Sequence, residues 1–178
     1  GVRSEGPNLT RLTVDRSTII SNTATSGAGV FSQGVGATTV ISGTRISGNT
    51  ATGAGGGVFN NGSMTIDHST LDGNTAPSGG GIHHFGGNLL LINSTVSANV
   101  AGDNGGGLYS RGSGTLKFVT LAANAAGGPA TGGNLFNDEG QLTVAASALS
   151  AAAGSENCAV SNAVITSGGY NIAGDASC

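Results

Sequence analysis

The chain has 178 residues and a mass of 17.0 kDa, a size for one domain. Charged residues make up 8%, against ~25% in ordinary globular domains. The net charge of −3 and pI near 5.4 leave no basic patch for a phosphate backbone, which excludes nucleic acid as a partner. No apolar run approaches the ~18 residues that read as a membrane helix; the longest is Leu89-Leu90-Leu91-Ile92. The 34 glycines cluster instead of falling at every third place, so collagen is excluded as well.

Residues 1–11 offer only Val2, Leu9 and a polar stretch with Pro7, and are expected to form an N-terminal edge segment. An alternating β-type segment follows at Leu12-Thr13-Val14. Next comes Ile19, with Asn22 three residues on and Ala24 two further. Gly27-Ala28-Gly29-Val30-Phe31 closes the unit. The same order then recurs. Ile46, Leu71, Val96 and Leu121 follow Ile19 at intervals of 27, 25, 25 and 25. Asn49, Asn74, Asn99 and Asn124 follow Asn22, and Ala51, Ala76, Ala101 and Ala126 follow Ala24. The glycine signature returns before Val58-Phe59, Ile82-His83, Leu108-Tyr109 and Leu135-Phe136, and the alternating segment at Val40-Ile41, Met64-Thr65-Ile66, Leu90-Leu91-Ile92, Thr115-Leu116-Lys117 and Leu142-Thr143-Val144.

A fixed period of this length marks a solenoid or array. Each unit carries three short Val/Ile/Thr/Leu segments separated by Gly, Asn and Ser turns, too short for helices. A propeller blade needs about 40 residues, and a leucine-rich repeat carries one strand signal per unit. The remaining solution is an all-β, right-handed, single-stranded parallel β-helix of about six coils over residues 12–150, with ~25 residues per coil and right-handed winding from the crossover rule. Val30, Val58, Ile82, Leu108 and Leu135 are expected inside as one aliphatic column, and the Ile19 series as another. Asn22, Asn49, Asn74, Asn99 and Asn124 are expected at a left-handed corner, their carboxamides hydrogen-bonded along the rod as a ladder. The alanines are expected at a corner too cramped for a larger side chain.

Residues 151–178 break the pattern, as the last unit of a solenoid must in order to hide its edge. The only cysteines, Cys158 and Cys178, lie here. They read as a disulfide that pins a C-terminal cap and implies an oxidising, extracytoplasmic setting. The N-terminal edge lacks an equivalent cap. We expect it to be covered by a flanking region of a longer parent chain, or by an identical subunit stacked end to end, which would build a filament.

Ser69-Thr70-Leu71-Asp72-Gly73-Asn74-Thr75-Ala76 with Gly79-Gly80-Gly81-Ile82, and the ending Gly169-Tyr170-Asn171-Ile172 through Cys178 with Asn157-Cys158 ahead of it, resemble secreted bacterial β-helix proteins of the CSLREA-domain-containing type. More distantly they resemble the polymorphic outer-membrane-protein repeats of autotransporter adhesins. The resemblance covers residues 12–178 and implies a secreted or cell-surface location more than an activity. The CSLREA segment itself is absent.

Parallel β-helices also carry polysaccharide lyases and hydrolases, so catalysis has to be weighed. The columns aligned as outward read Asp15, Ser42, Asp67, Ile92, Lys117 and Arg16, Gly43, His68, Asn93, Phe118. No two carboxylates fall on neighbouring coils of one column, so a paired acid/base site is not visible. The three histidines, His68, His83 and His84, belong to one unit. His83 and His84 are consecutive on a strand and face opposite ways, so neither a metal nor a cofactor is expected. Phe31, Phe59, His83, Tyr109 and Phe136 form one planar side chain per coil. Facing outward they would be a stripe suited to sugar rings or a protein partner; facing inward they would be core. Thr13, Thr39, Thr65, Leu90 and Thr115 do not pair across a strand, so an ice-binding array is set aside. The sequence thus points to a non-enzymatic structural or adhesive module, extracellular or on the cell surface, with polysaccharide or a cell-surface molecule as a further partner. The competing reading is a carbohydrate-active enzyme.

Overall fold

A computed structural model describes residues 1–6, 10–127 and 131–178; Pro7 and Leu9 of the expected edge segment lie outside the described residues. Among the described residues there is no helix, and every strand pairing is parallel. Three sheets run along the rod, one of ten strands, one of five and one of seven. The molecule is a parallel β-helix of about seven turns with ~25 residues per turn.

Each turn visits the sheets in a fixed order. In the second turn the strand Val30–Ser42 belongs to the ten-stranded sheet, Arg45–Ser47 to the seven-stranded one and Thr50–Ala54 to the five-stranded one. Alternation along each strand sends every second side chain inward. Three aliphatic columns result: Val30, Val58, Ile82, Leu108, Leu135; Ile41, Ile66, Leu91, Leu116, Val144; and Ile46, Leu71, Val96, Leu121, Leu149. Nearly all are fully buried, and each large one contributes about 1.5–3 kcal/mol of transfer free energy.

Four expectations need correction. The segment 151–178 does more than cap: Cys158–Ser167 pairs with Leu135–Ala145 and Ile172–Ala173 with Ala148–Ser150, so the coil count rises from about six to about seven. The alanine column is not at a corner. Ala51, Ala76 and Ala101 are the inward residues of the five-stranded sheet, which packs directly on the glycine backbone: a Cβ on Gly56 would lie 2.5 Å from the Thr75 carbonyl oxygen and one on Gly80 2.4 Å from that of Val100. The asparagines are not left-handed either. The residue before each one takes the positive φ (Ser21, Gly48, Gly73, Ala98 and Ala123, 53° to 63°), which leaves the Asn side chain free to turn into the rod. Finally, the column of Arg16, Gly43, His68, Asn93 and Phe118 is a second left-handed corner, with φ from 41° to 56°, and not a strand position.

Candidate functional site

The candidate site is the outer face of the ten-stranded sheet. Because Val30, Val58, Ile82, Leu108 and Leu135 point inward, the next residue in each coil points outward, and Phe31, Phe59, His83, Tyr109 and Phe136 stand in register there. Parallel pairing at ~4.8 Å per strand sets each ring on the next. Centroids lie 5.1, 5.3, 4.5 and 5.6 Å apart with interplanar angles of 9° to 16°. The column faces outward, yet Phe31 and His83 are only 7% exposed, because each ring is covered by its neighbours in the stack. The Arg3 guanidinium covers the outer face of Phe31 at 4.2 Å. The stack offers ring edges where a sugar platform would need open ring faces.

His83 sits between Phe59 and Tyr109 with its Nδ1 buried and unpartnered, and desolvation pushes its pKa down to about 4. His84 points into the rod, fully buried. Its Nδ1 is 3.4 Å from Asn60 Nδ2 and its Nε2 3.3 Å from the Gly87 carbonyl, and burial lowers its pKa too. It belongs to an interior polar column of Ser32, Asn60, His84, Ser110 and Asn137, all buried. Thr39 also faces inward and donates to Ser32 Oγ at 2.7 Å. The third histidine, His68, lies on the left-handed corner beside Asp67 at 2.6 Å. The three imidazoles do not converge, and no group of three His, Cys, Asp or Glu able to hold a metal occurs among the described residues.

One ionic cluster escaped the sequence reading. Arg111 lies 3.3 Å from Asp138 and pairs with Glu139 on the adjacent coil. The Tyr109 hydroxyl donates to Asp138 at 2.7 Å, and Phe85 lies under the Arg111 guanidinium at 5.1 Å. Burial and this carboxylate push Tyr109 up to about 12. The signal was present in the spacing, since Tyr109 and Phe136 share a register and Asp138 follows two residues later.

Three further carboxylates each serve a neighbour. Asp15 accepts from Ser42 at 2.7 Å and Arg16 at 2.8 Å. Asp67 accepts from Asn93 at 3.0 Å. Asp72 binds Arg45 through two bonds of 2.9 and 3.0 Å and Ser47 at 2.8 Å. All three are held below the usual carboxylate range, chiefly by Ser42, Asn93 and Arg45 respectively. A groove of about 300 Å³ runs over Thr65, Asn88, Leu90 and Thr115 on the same sheet, and its lining contains no ionisable side chain.

Inside the rod the asparagines form a continuous chain. Each Nδ2 donates to the next Oδ1 at 2.9–3.0 Å from Asn22 through Asn49, Asn74 and Asn99 to Asn124. The chain then runs on to Asn134 at 2.8 Å and Asn157 at 2.7 Å, two members the period did not predict. A second ladder of hydroxyls also went unread: Ser17, Thr44 and Ser69 each donate their backbone N–H to the next side chain, Thr44, Ser69 and Ser94, at 3.1–3.2 Å. Cys158 and Cys178 are joined in a disulfide with Cα atoms 5.2 Å apart.

The fold and its ladders define the class, a parallel β-helix with stacked side-chain columns. Compared with known proteins, the chain matches no family model, no curated protein and no solved structure.

Proposed function

We propose that the chain is a non-catalytic rod module of a secreted or cell-surface protein, structural or adhesive in role, of the kind its CSLREA-like repeats suggest. The observation that carries this reading is the self-sufficiency of the columns. The rings of the outer face stack on each other, and Asp15, Asp67 and Asp72 accept bonds from side chains of adjacent or neighbouring positions. Such ladders lend stiffness along an axis and leave few groups free for chemistry. The partners we propose are a flanking stretch of parent chain over the first coil, or a second copy stacked on it, with polysaccharide or a cell-surface molecule along the side. In support, Val2 and Leu12 of that coil are only partly buried against the core.

One observation favours the alternative of a carbohydrate-active enzyme. Tyr109, Arg111, Asp138 and Glu139 bring ionisable groups from adjacent coils together. The deciding experiment is turnover of a panel of acidic and neutral polysaccharides by the wild type and Asp138→Ala, alongside binding to the same panel. No turnover with either protein supports the rod. Turnover lost in Asp138→Ala establishes the enzyme and removes our reading.

A further inference from the structure

Every glycine corner aims consecutive backbone N–H groups at the next coil. In the third turn Gly55, Gly56, Gly57 and Val58 donate to the carbonyls of Ser78, Gly79, Gly80 and Gly81 at 2.9–3.2 Å. The corner before the strand Cys158–Ser167 meets no such coil. Its Asn157 N–H donates instead to the Asp175 carboxylate at 2.9 Å, and its Cys158 N–H to Ser177 Oγ, also at 2.9 Å. Side chains of the tail thus take the place of the next corner's carbonyls. The tail is fixed at its end by the bond from exposed Cys178 to buried Cys158. It also covers the end of the core: a cavity of about 210 Å³ lies among Val144, Leu149, Ile165, Asn171, Ala173 and Cys178.

We propose that residues 174–178 are a thiol-releasable lid, which the Cys158–Cys178 bond holds over the apolar end of the rod. A dithiol attacks the sulfur of Cys178, the exposed partner of the pair, and Cys158 leaves as thiolate. The second thiol of the reagent then displaces Cys178 from the mixed disulfide. Two electrons and two protons pass to the cysteines, and the reagent departs as its own disulfide. With the covalent tie gone, two exposed side-chain acceptors and the bond from Gly174 N–H to the Leu149 carbonyl are left to hold five residues against their conformational entropy. The lid therefore opens, while the coils above it, held by their own ladders, stay closed.

The experiment is amide exchange on the full chain, oxidised and after dithiothreitol, with 8-anilinonaphthalene-1-sulfonate fluorescence as a probe of the exposed core end. Cys178→Ser serves as a reagent-free control. Reduction and Cys178→Ser are each expected to speed exchange at Asn157 and Cys158 by about tenfold or more and to raise dye fluorescence, with Val58 and Leu108 unchanged. Unchanged protection at Asn157 and Cys158 in the reduced protein overturns the proposal. So does loss of protection at Val58 and Leu108 together with the tail, because the bond would then hold the whole fold and not a lid.

Discussion

Gly57 faces the carboxamide of Asn74 so closely that a Cβ on the glycine would lie 3.1 Å from Asn74 Nδ2 and 2.5 Å from the Gly81 carbonyl oxygen. Gly81 stands in the same relation to Asn99, and Gly107 to Asn124, at 3.0 Å each. The third glycine of each corner is therefore the space into which the asparagine ladder fits. Where the ladder changes course, the pair changes with it: position 134 carries Asn, and the corner near it reads Ala151-Ala152, with no Asn. Gly81→Ala should accordingly cost about 3 kcal/mol or more, since backbone must move. Gly102→Ala, whose Cβ would meet nothing nearer than 3.6 Å, should stay within about 0.5 kcal/mol. Urea denaturation midpoints check both, and equal effects would remove the close-approach argument.

Within the ladder, Asn99 donates to the Leu71 carbonyl and to Asn124 Oδ1 at 3.0 Å, and its own Oδ1 accepts from Asn74 N and Nδ2 at 2.9 Å. Truncation would strand donors and acceptors in a fully buried position. We expect Asn99→Ala to cost about 3–5 kcal/mol, and Asn22→Ala, at the half-buried first rung, about 1 kcal/mol. A loss at position 99 no greater than at position 22, in the same denaturation assay, would mean that the ladder carries little of the stability.

The aliphatic columns were legible because they repeat one large residue at a 25-residue interval, and Ile46, Leu71, Val96 and Leu121 leave no other period to fit. The five-stranded sheet was not. A strand such as Thr75–Ser78 turns only Ala76 fully inward, and one small residue per coil reads equally well as a corner. The orientation of the aromatic column was undecidable for a related reason. Alternation sends Phe59 outward, hydrophobicity argues inward, and only stacking on Phe31 and His83 reconciles the two. The left-handed position was misplaced by one residue, because Asn favours that conformation locally while the ladder needs its side chain inside. Tertiary hydrogen bonding decided, and Gly73 or Ala98 makes the turn instead.

The histidine in the aromatic stack makes the rod acid-sensitive. Desolvation between Phe59 and Tyr109 lowers His83 to about 4, whereas an unfolded histidine titrates near ~6.5. Between those values the unfolded chain binds the extra proton. Stability is therefore full above pH ~6.5, falls as the pH drops towards ~4, and loses up to about 3 kcal/mol from this residue. His84 shifts in the same direction and steepens the slope. His83→Phe should keep the stack and flatten the stability profile between pH 7 and 4.5 relative to wild type. If urea midpoints fall in parallel for the two proteins, His83 is not the source.

A second, lower acid window belongs to the tail. The Asp175 carboxylate accepts from the Ser177 hydroxyl, from Ser177 N–H at 2.9 Å and from Asn157 N–H at 2.9 Å, and these bonds, Ser177 foremost, hold it down to about 2. The unfolded value is near ~3.9, so the stabilisation is complete above pH ~4 and is lost as the pH falls through ~2. Asp15, Asp67 and Asp72 are lowered as well, so a global stability curve would mix their contributions with that of Asp175. The Asn157 amide proton is a local reporter, because its bond goes to Asp175 itself. In the oxidised protein its chemical shift should titrate with a midpoint near 2, and in Asp175→Asn that step should vanish. A wild-type midpoint near 3.9 would show that the carboxylate does not hold the Asn157 amide, and the tail would then rest on the disulfide, the Ser177 hydroxyl and the Gly174 amide.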